Sequence, residues 1–401
     1  MSSSHIFVFV VCGADEHIDT LNFSIRYLKH FSKNEIVVVT DLRRNNKAIA
    51  HDNILDISTP PQLSHHQSSI YLKTGLHKFL DLSNCYCYLD SDVIAIDSRV
   101  DSIFSHFSSP IIFGSDHCAL RAFSPYAINC NCFEHKREKY SVLDQLQEKH
   151  NPNLLIKDAF LLEKQRVLIN TFYIQKRNPL VYSFLALRYI MSPRFFKLNS
   201  DFYFDKKKKV WYYRDGRAVL YSVEGYYKKI EKESIFRWDK RHKLWLDDTG
   251  ENAYIAFCNH LTESIKLKFN ISVTEKNWQH WNGGVFLFNR SSVPFMESWH
   301  QKTLAIFEDP AWKTRDQGTL IATAWEFGLS KHTHLPQEYN FIADYYKQNI
   351  TFDKEKGFST DKFKTIINPF FIHVYHEFGK KGWDVWDAIT SLIPEKEEDK
   401  V

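Results

Sequence analysis

The chain has 401 residues, 44% of them hydrophobic and 25% charged, a composition typical of a globular protein with one large domain or two. Its formal net charge of +4 is too small to indicate a nucleic-acid partner. No apolar stretch approaches the length that crosses a bilayer, and seven scattered cysteines are typical of a reducing compartment. Since Met1 leads into a short apolar strand without a signal peptide, we expect a cytoplasmic protein.

The first third of the sequence alternates strand and helix patterns. Apolar runs predict buried strands at 6–12, 35–40 and 85–89, and apolar residues at helical spacing predict helices over 19–31 and 70–80. This order predicts a parallel sheet covered by helices. Ligands of such sheets bind beyond the carboxyl ends of the strands, so the residues after the third strand are the first candidates for a site.

Two aspartates stand at that point. Asp90 and Asp92 are separated by one residue, so they point the same way if the extended geometry continues. Two neighbouring carboxylates repel each other unless a cation lies between them. Their hard oxygens suit Mg²⁺ or Mn²⁺, which in turn bind diphosphate oxygens. The alternative is a pair that caps a loop or faces water, which is the commoner use of Asp-x-Asp.

The middle of the chain predicts helices and hairpins instead of this alternation. Residues 144–168 are predicted to be helical in part, and residues 179–191 more clearly so. Residues 210–221 contain a strand, an Asp-Gly turn and a second strand, which together predict a hairpin. Residues 235–246 and 254–257 extend the antiparallel character.

We interpret this block as an insertion, because strand and helix patterns alternate again after Trp278. The predicted fold is α/β, with a mixed, mainly parallel sheet, helices on both faces and a large α+β insertion that contains antiparallel hairpins. The predicted divisions are the first half of the α/β domain at 1–115, the insertion at 116–275, the second half at 276–390 and a charged tail at 391–401.

Two motifs after the insertion carry polar groups. Asn282, Gly283 and Gly284 open an apolar strand, where glycines let a ligand approach the backbone and the asparagine offers an amide. A turn before a core strand explains the same glycines. Asp316 and Gln317 stand at a helix start, where the aspartate could equally be an N-cap.

A third motif ends the last predicted strand. His373 and His376 could each supply an imidazole to a metal, and Lys380 and Lys381 could neutralise a phosphate. In the alternative interpretation the histidine is a core residue and the lysines face solvent.

In this order the motifs resemble the metal-dependent nucleotide-sugar glycosyltransferases of the GT-A fold, in particular glycosyltransferase family 8, which includes glycogenin and lipopolysaccharide galactosyltransferases. The resemblance covers roughly residues 5–115 and 275–387. The matching segments are 71–73, 88–92, 282–285, 316–317, 335–340 and 373–383.

The resemblance implies a GT-A (Rossmann-like) fold and transfer of a sugar, with retention, from a nucleotide diphosphate donor such as a UDP-sugar to a glycan, a lipid-linked or another hydroxyl acceptor. It implies Mn²⁺ or Mg²⁺ as the cofactor. The implied roles are metal binding by Asp90, Asp92 and either His373 or His376, donor binding by Asp15, Lys73, Ser91, Gly283, Gly379, Lys380 and Lys381, and sugar contacts by Asn282, Asp316 and Gln317.

The chain departs from the family pattern at several positions. Gly318 replaces the second aspartate of the Asp-Gln-Asp helix, Gly382 stands where the family has a proline, and the insertion is longer than usual. Two other functions remain open: an inverting GT-A transferase, in which an Asp or Glu serves as the base, and a non-catalytic glycan-binding protein on a decayed transferase fold.

Two further features of the sequence carry weaker indications. Cys118, Cys130, Cys132 and His135 match no standard zinc spacing, so we predict no zinc site from them. The lysines at 206–209 are expected in a solvated loop. Peripheral membrane association and oligomerisation are both compatible with the sequence.

Overall fold

The computed structural model describes residues 4–346, 350–353, 357–360 and 367–393. The chain divides into a larger unit, Met1–Cys130 with Phe257–Val401, and a smaller unit, Asn131–Ala256. The smaller unit has narrower bounds than the predicted insertion at 116–275, because a strand and two helices at its edges pack in the larger unit. Most of the predicted tail, residues 394–401, lies outside the described residues.

The described residues form strands and helices in both units. The strands are β1 (His5–Val10), β2 (Glu35–Thr40), β3 (Ile54–Asp56), β4 (Cys85–Leu89), β5 (Val93–Ala95), β6 (Ile112–Ala119), β7 (Phe195–Lys197), β8 (Phe202–Asp205), β9 (Val210–Tyr213), β10 (Ala218–Tyr221), β11 (Arg237–Asp239), β12 (Leu244–Leu246), β13 (Gln279–Phe288), β14 (Phe341–Ile342), β15 (Ile350–Asp353), β16 (Gly357–Thr360) and β17 (Phe371–His373). The helices are α1 (Asp15–Phe31), α2 (His65–Thr74), α3 (Leu120–Ala127), α4 (Cys132–His150), α5 (Ala159–Lys176), α6 (Pro179–Met191), α7 (Val223–Glu233), α8 (His260–Phe269), α9 (Val293–Leu304), α10 (Asp316–Glu326) and α11 (Asp384–Leu392).

A six-stranded sheet in the order β3-β2-β1-β4-β13-β6 forms the centre of the larger unit. The pairs β3–β2, β2–β1 and β1–β4 are parallel, whereas β13 is antiparallel to both β4 and β6. All strands except β13 therefore run in one direction, which confirms the predicted mainly parallel sheet.

Both faces of this sheet are covered by helices, which explains the uninterrupted apolar sequence of its strands. On one face, Phe7 and Phe9 of β1 pack with Leu21 and Ile25 of α1. On the other face, alternate residues of β1 join one apolar cluster with side chains from α2, α9 and α10. The predicted arrangement of helices on both faces is confirmed.

The start of α2 differs from its prediction at 70–80. Ser64 accepts a hydrogen bond from the Gln67 backbone N–H at 3.1 Å, and the Gln67 side chain accepts one from the Ser64 N–H at 2.9 Å. This reciprocal capping box starts the helix at His65. The helix consequently places two histidines, His65 and His66, in its first turn.

A second, three-stranded sheet in the order β14-β17-β5 lies in the same unit. Strand β17 is antiparallel to β5, with His373 opposite Val93, and parallel to β14. Because β5 begins directly after Asp92, this pairing brings the end of β17 to the two aspartates.

The smaller unit contains α4 to α7, an antiparallel sheet in the order β10-β9-β8-β7 and the two-stranded sheet β11-β12. The predicted hairpin over 210–221 is confirmed by β9 and β10. The predicted extension over 254–257 is wrong, because these residues form a turn and a bend. The side chain of Asn252 accepts the Tyr254 N–H at 2.9 Å, a local bond that competes with strand pairing.

Within the described residues, every helix is too short or too polar to cross a lipid bilayer.

Candidate metal centre and its pocket

The two aspartates lie on a turn that connects the two sheets. The Asp90 N–H donates to the Gly284 carbonyl at 2.8 Å, and the Val93 N–H donates to the Asp90 carbonyl at 3.0 Å. The extended geometry that the sequence suggested therefore ends at Asp90. The carboxylates converge because the chain turns between β4 and β5.

His373 joins the aspartates through the pairing of β17 with β5. Ligand atoms of Asp90, Asp92 and His373 all lie within 4.8 Å of one another. The Nε2 atom of His373 is 3.2 Å from Oδ1 of Asp92, and its Nδ1 is 3.1 Å from Oδ1 of Asn340. If Nδ1 donates to this amide oxygen, Nε2 has its lone pair free to bind a metal.

The carboxylate of Asp92 and the imidazole of His373 change each other's pKa. Burial disfavours the charged form of both groups, but their mutual attraction outweighs it, so the pKa of Asp92 is lowered and the pKa of His373 is raised. The negative charge of Asp92 therefore favours the protonated form of His373.

Lys73 of α2 is the buried cation of the site. Its Nζ lies 3.2 Å from Oδ1 of Asp90 and 2.9 Å from Oδ2 of Asp316. Burial opposes its charge, but the two carboxylates outweigh burial and raise the pKa of Lys73. The hydroxyl of Tyr88 also donates to Oδ1 of Asp90, at 2.5 Å. Both partners thus hold the same oxygen atom of Asp90.

The two glycines of β13 make room for side chains of the site. A Cβ at Gly284 would lie 2.6 Å from Cε1 of His373, and one at Gly283 would lie 3.3 Å from Oε1 of Gln317. The sequence predicted that these glycines let a ligand approach the backbone. In the structure they let the imidazole and the glutamine amide approach it.

Asn282 and Gln317 are engaged with the protein itself. Oδ1 of Asn282 accepts from the Gly284 N–H at 2.9 Å and from the Asn340 amide at 3.1 Å. Oε1 of Gln317 accepts from the Gly283 N–H at 2.9 Å, and its amide donates to the Trp281 carbonyl. These side chains order the edge of the site.

Asp316 occupies the first position of α10, whose N-cap is Arg315. The alternative in which Asp316 caps this helix is therefore wrong. Burial opposes the ionisation of Asp316, but Lys73 outweighs it and lowers the pKa of this carboxyl. The residue remains negatively charged beside the metal candidates.

A cavity of about 460 Å³ opens in front of these residues. It is lined by Cys12 and Ala14 after β1, His65 and His66 of α2, and the site residues Lys73, Asp90, Ser91, Asp92 and Asp316. It lies beyond the carboxyl ends of β1 and β4, as the parallel sheet predicted. Its volume is that of pockets that bind small molecules or cofactors.

Several predicted residues lie apart from this group. Asp15 is exposed in the first turn of α1, and His376 is exposed after β17. Gly379, Lys380 and Lys381 are exposed as well, and the Lys380 ammonium pairs with Glu377. The structure thus brings His373, and not His376, within reach of the aspartates.

Other polar residues lie beside the site and were not predicted from the sequence. Asn340 contacts both His373 and Asn282, and Asp116 accepts from the Asn282 amide at 3.2 Å. Asp116 and Asn340 line a second cavity, of about 260 Å³. The Ser64-x-x-Gln67 pattern could have predicted that α2 starts at His65 and so places His65 and His66 at the cavity. No comparable sequence pattern marks Asp116.

No family model matches the chain, and no curated protein sequence matches it. Its fold is similar to that of the galactosyltransferase LgtC in complex with donor and acceptor sugar analogs, with 10% identity, a TM-score of 0.39 and 98% of each chain covered. It is also similar to the bifunctional glycosyltransferase WbbM, with 12% identity, a TM-score of 0.40 and coverage of 99% of this chain and 50% of that one. For mouse xyloside xylosyltransferase 1 the identity is 10%, the TM-score 0.35 and the coverage 93% and 97%. These values describe a distant likeness of fold, from which no substrate or residue role passes to this chain.

Proposed function

We propose that this chain is a glycosyltransferase that moves a sugar from a nucleotide diphosphate donor to a hydroxyl acceptor, with a divalent cation held by Asp90, Asp92 and His373. The observation that carries the proposal is the convergence of these three ligand atoms within 4.8 Å at the cavity beyond the central strands. The motifs that resemble glycosyltransferase family 8 support a UDP-sugar as donor, a glycan or lipid-linked acceptor, and retention.

One buried atom supports the metal in particular. Oδ1 of Asp92 is inaccessible to solvent and makes no hydrogen bond, although Nε2 of His373 lies 3.2 Å away. A buried carboxylate oxygen without a hydrogen bond is costly. A cation held by Asp92 and His373 would give this oxygen a partner.

The charges of the site support a divalent ion. Asp90, Asp92 and Asp316 carry three negative charges and Lys73 carries one positive charge, and a metal-bound His373 is neutral. The balance of minus two is cancelled by one divalent cation. Two carboxylates with one imidazole suit Mn²⁺ better than Mg²⁺, because Mg²⁺ prefers oxygen ligands throughout.

The residues of the chain have distinct roles in this mechanism. When bound, the cation supplies Lewis-acid stabilisation of the diphosphate leaving group. Lys73 stays charged and fixes Asp90 and Asp316 by its two ion pairs. Asn340 orients the imidazole of His373. The burial of these groups strengthens each electrostatic contact relative to water.

Calorimetry with UDP, in the presence and absence of Mn²⁺, tests the proposal. We expect UDP binding that depends on Mn²⁺, together with Mn²⁺-dependent hydrolysis of a UDP-sugar. Asp92→Asn should reduce both at least tenfold, because it removes a charged metal ligand. Asp52→Asn, at an exposed loop position, is the matched control. Undiminished Mn²⁺-dependent binding in Asp92→Asn would contradict the metal site, and glycan binding without any nucleotide binding would favour a non-catalytic protein.

The second cavity favours one alternative mechanism. Asp116 lies there, and although burial opposes its ionisation, the nearby histidines, His280 first, outweigh burial and lower its pKa. An ionised carboxylate facing a cavity could serve as the base of an inverting transferase. NMR of the product's anomeric configuration separates the two outcomes. Retention with an active Asp116→Asn variant excludes the alternative, whereas inversion with an inactive variant supports it.

A further inference from the structure

A second group of metal-ligating side chains lies away from the candidate active site. The Sγ atoms of Cys130 and Cys258 and a ring nitrogen of His260 are all within 4.8 Å of one another. These residues belong to the larger unit. We propose that they bind a structural zinc ion, an inference that is independent of the proposed function.

The ligand chemistry points to zinc and away from the cation of the active site. Thiolate sulfur and imidazole nitrogen are the ligands of structural zinc sites, whereas the active-site cation is proposed to bind two carboxylates and no sulfur. With Zn–S bonds of about 2.3 Å, two tetrahedral sulfur ligands lie about 3.8 Å apart. The separations in the group require shifts of about 1 Å or less to reach this geometry. Cys130, Cys258 and His260 supply three of the four ligands of a tetrahedral zinc site.

The backbone near each of the two cysteines is held by a hydrogen bond. Next to Cys130, the Asn129 N–H donates to the Ala311 carbonyl at 2.7 Å, and the Cys258 N–H donates to the Arg121 carbonyl at 3.2 Å. Cys130 and Cys258 are therefore brought together by packing within the larger unit.

The surroundings of Cys258 offer polar partners to its sulfur. Its Sγ lies 3.0 Å from the Ser124 hydroxyl, which accepts the Leu261 N–H at 2.9 Å and can donate its own proton to the sulfur. Helix α8 begins at His260, so its positive N-terminal end is beside the thiol. Cys258 is buried and His260 is exposed, which gives the ion a path of entry.

The positions of the ligands indicate what the ion does. Cys130 is the last residue of the larger unit before the chain enters the smaller unit, and Cys258 is the second residue after it returns. An ion bound by both residues would link the position where the chain leaves the larger unit to the position where it returns. Since a clip of this kind restricts the unfolded chain, we expect it to stabilise the larger unit and not to take part in transfer.

Cobalt spectroscopy of the full chain tests the proposal. We expect Co²⁺ added to the reduced protein to give a sulfur-to-cobalt charge-transfer band whose intensity corresponds to about one sulfur-bound Co²⁺ and which Zn²⁺ abolishes. Cys258→Ser and Cys130→Ser should each lose most of this band. Two variants are matched controls, and both should keep the band. Cys85→Ala lies outside the metal-ligating groups found among the described residues, and Cys118→Ser belongs to a second group with Asp116 and His280. A band that survives Cys258→Ser, or that disappears in Cys118→Ser, overturns the assignment.

Cysteine alkylation of the wild-type protein, with and without Zn²⁺, tests the zinc site without relying on the folding of any variant. Zn²⁺ should slow the alkylation of Cys130 and Cys258 at least tenfold by peptide mass spectrometry, and leave Cys118 unchanged. Equal alkylation with and without Zn²⁺ overturns the proposal. A Cys130–Cys258 disulfide that forms in place of metal binding overturns it as well. The Asp92→Asn variant should retain the cobalt band, which separates this site from the active site.

Discussion

Lys73 lies almost completely buried between the carboxylates of Asp90 and Asp316. Its removal would leave the partly buried carboxylates of Asp90 and Asp316 without their cation, and breaking a buried ion pair on one side is strongly destabilising. We expect Lys73→Met to lower the free energy of unfolding by about 3 kcal/mol, as measured by urea denaturation. Saturating Mn²⁺ should recover part of this loss, because it supplies positive charge to the same carboxylates.

Lys78 provides the control for this prediction. Its Nζ pairs with Glu297 at 3.0 Å on the surface, where an ion pair contributes less than about 1 kcal/mol. If Lys78→Met and Lys73→Met destabilise the protein equally, the buried pairs do not have the importance that we assign to them.

Gly284 is the residue that gives the imidazole its space. A methyl group there would lie 2.6 Å from Cε1 of His373, so Gly284→Ala displaces the ring. We expect Mn²⁺ affinity, followed by electron paramagnetic resonance, to fall about tenfold or more, as it does when the support of a ligand is removed. Gly225→Ala, in α7 and facing open space, should leave Mn²⁺ binding unchanged. Normal affinity in Gly284→Ala would mean that His373 is not a ligand.

At the scale of elements, one carboxylate fixes the turn that follows β12. Oδ2 of Asp247 accepts from the Lys136 ammonium of α4 at 2.7 Å, and Oδ1 accepts from the Thr249 hydroxyl at 2.5 Å. Burial opposes ionisation, but these partners outweigh it and lower the pKa of Asp247 to about 2. The turn is therefore joined to α4 through a charged group.

This shift predicts a dependence of stability on pH. The pKa of an unfolded aspartate is about 3.9, so the stabilisation is complete above about pH 4 and is lost as the pH falls towards 2. Asp247→Asn should lower the free energy of unfolding by about 2 kcal/mol at pH 7 and by much less at pH 2.5, as measured by urea titration. Asp248→Asn, which removes a neighbouring exposed ion pair with Lys139, should show little change at either pH. If Asp247→Asn lowers the free energy of unfolding by the same amount at both pH values, the ionised Asp247 carboxylate does not stabilise the fold as we predict.

The elements that the sequence predicted best are those whose pattern is set by burial. The strands at 35–40 and 85–89 have the predicted bounds, because both faces of the sheet are covered and all of their residues except Glu35 are buried. Polar caps and turns were harder to predict. The capping box at Ser64 starts α2 five residues before the predicted position 70. The hydrogen bond from the Tyr254 N–H to the Asn252 side chain stands where a strand was predicted.

The arrangement of distant segments decided what the sequence left open. The sequence predicted Asp90 and Asp92 as metal ligands but could not choose between His373 and His376 as the third. That choice depends on the antiparallel pairing of β17 with β5, which joins segments far apart in the chain and leaves no local pattern. The same lack of a local sequence pattern explains why the residues near Cys130 in space were not predicted. Cys130 was grouped with its sequence neighbours Cys118 and His135, whereas in the structure Cys258 and His260 lie beside it.

The larger unit gives a further prediction about the whole chain. Since the sulfur atoms of Cys130 and Cys258 are within 4.8 Å of each other, a short glycine-serine linker can replace residues 131–256 without stretching the backbone. We expect the shortened chain to fold and to keep Mn²⁺-dependent UDP binding within about threefold of the full chain. An insoluble or non-binding product would show that the smaller unit is required for the fold of the larger one.

The nearness of these two cysteines also bears on how such a chain can change over evolutionary time. A segment that departs and rejoins at a single place can be gained, lost or exchanged in one genetic event, while the sheet and its acidic turn stay as they are. Family comparisons of this protein should therefore treat the stretch from 131 to 256 as having a history of its own.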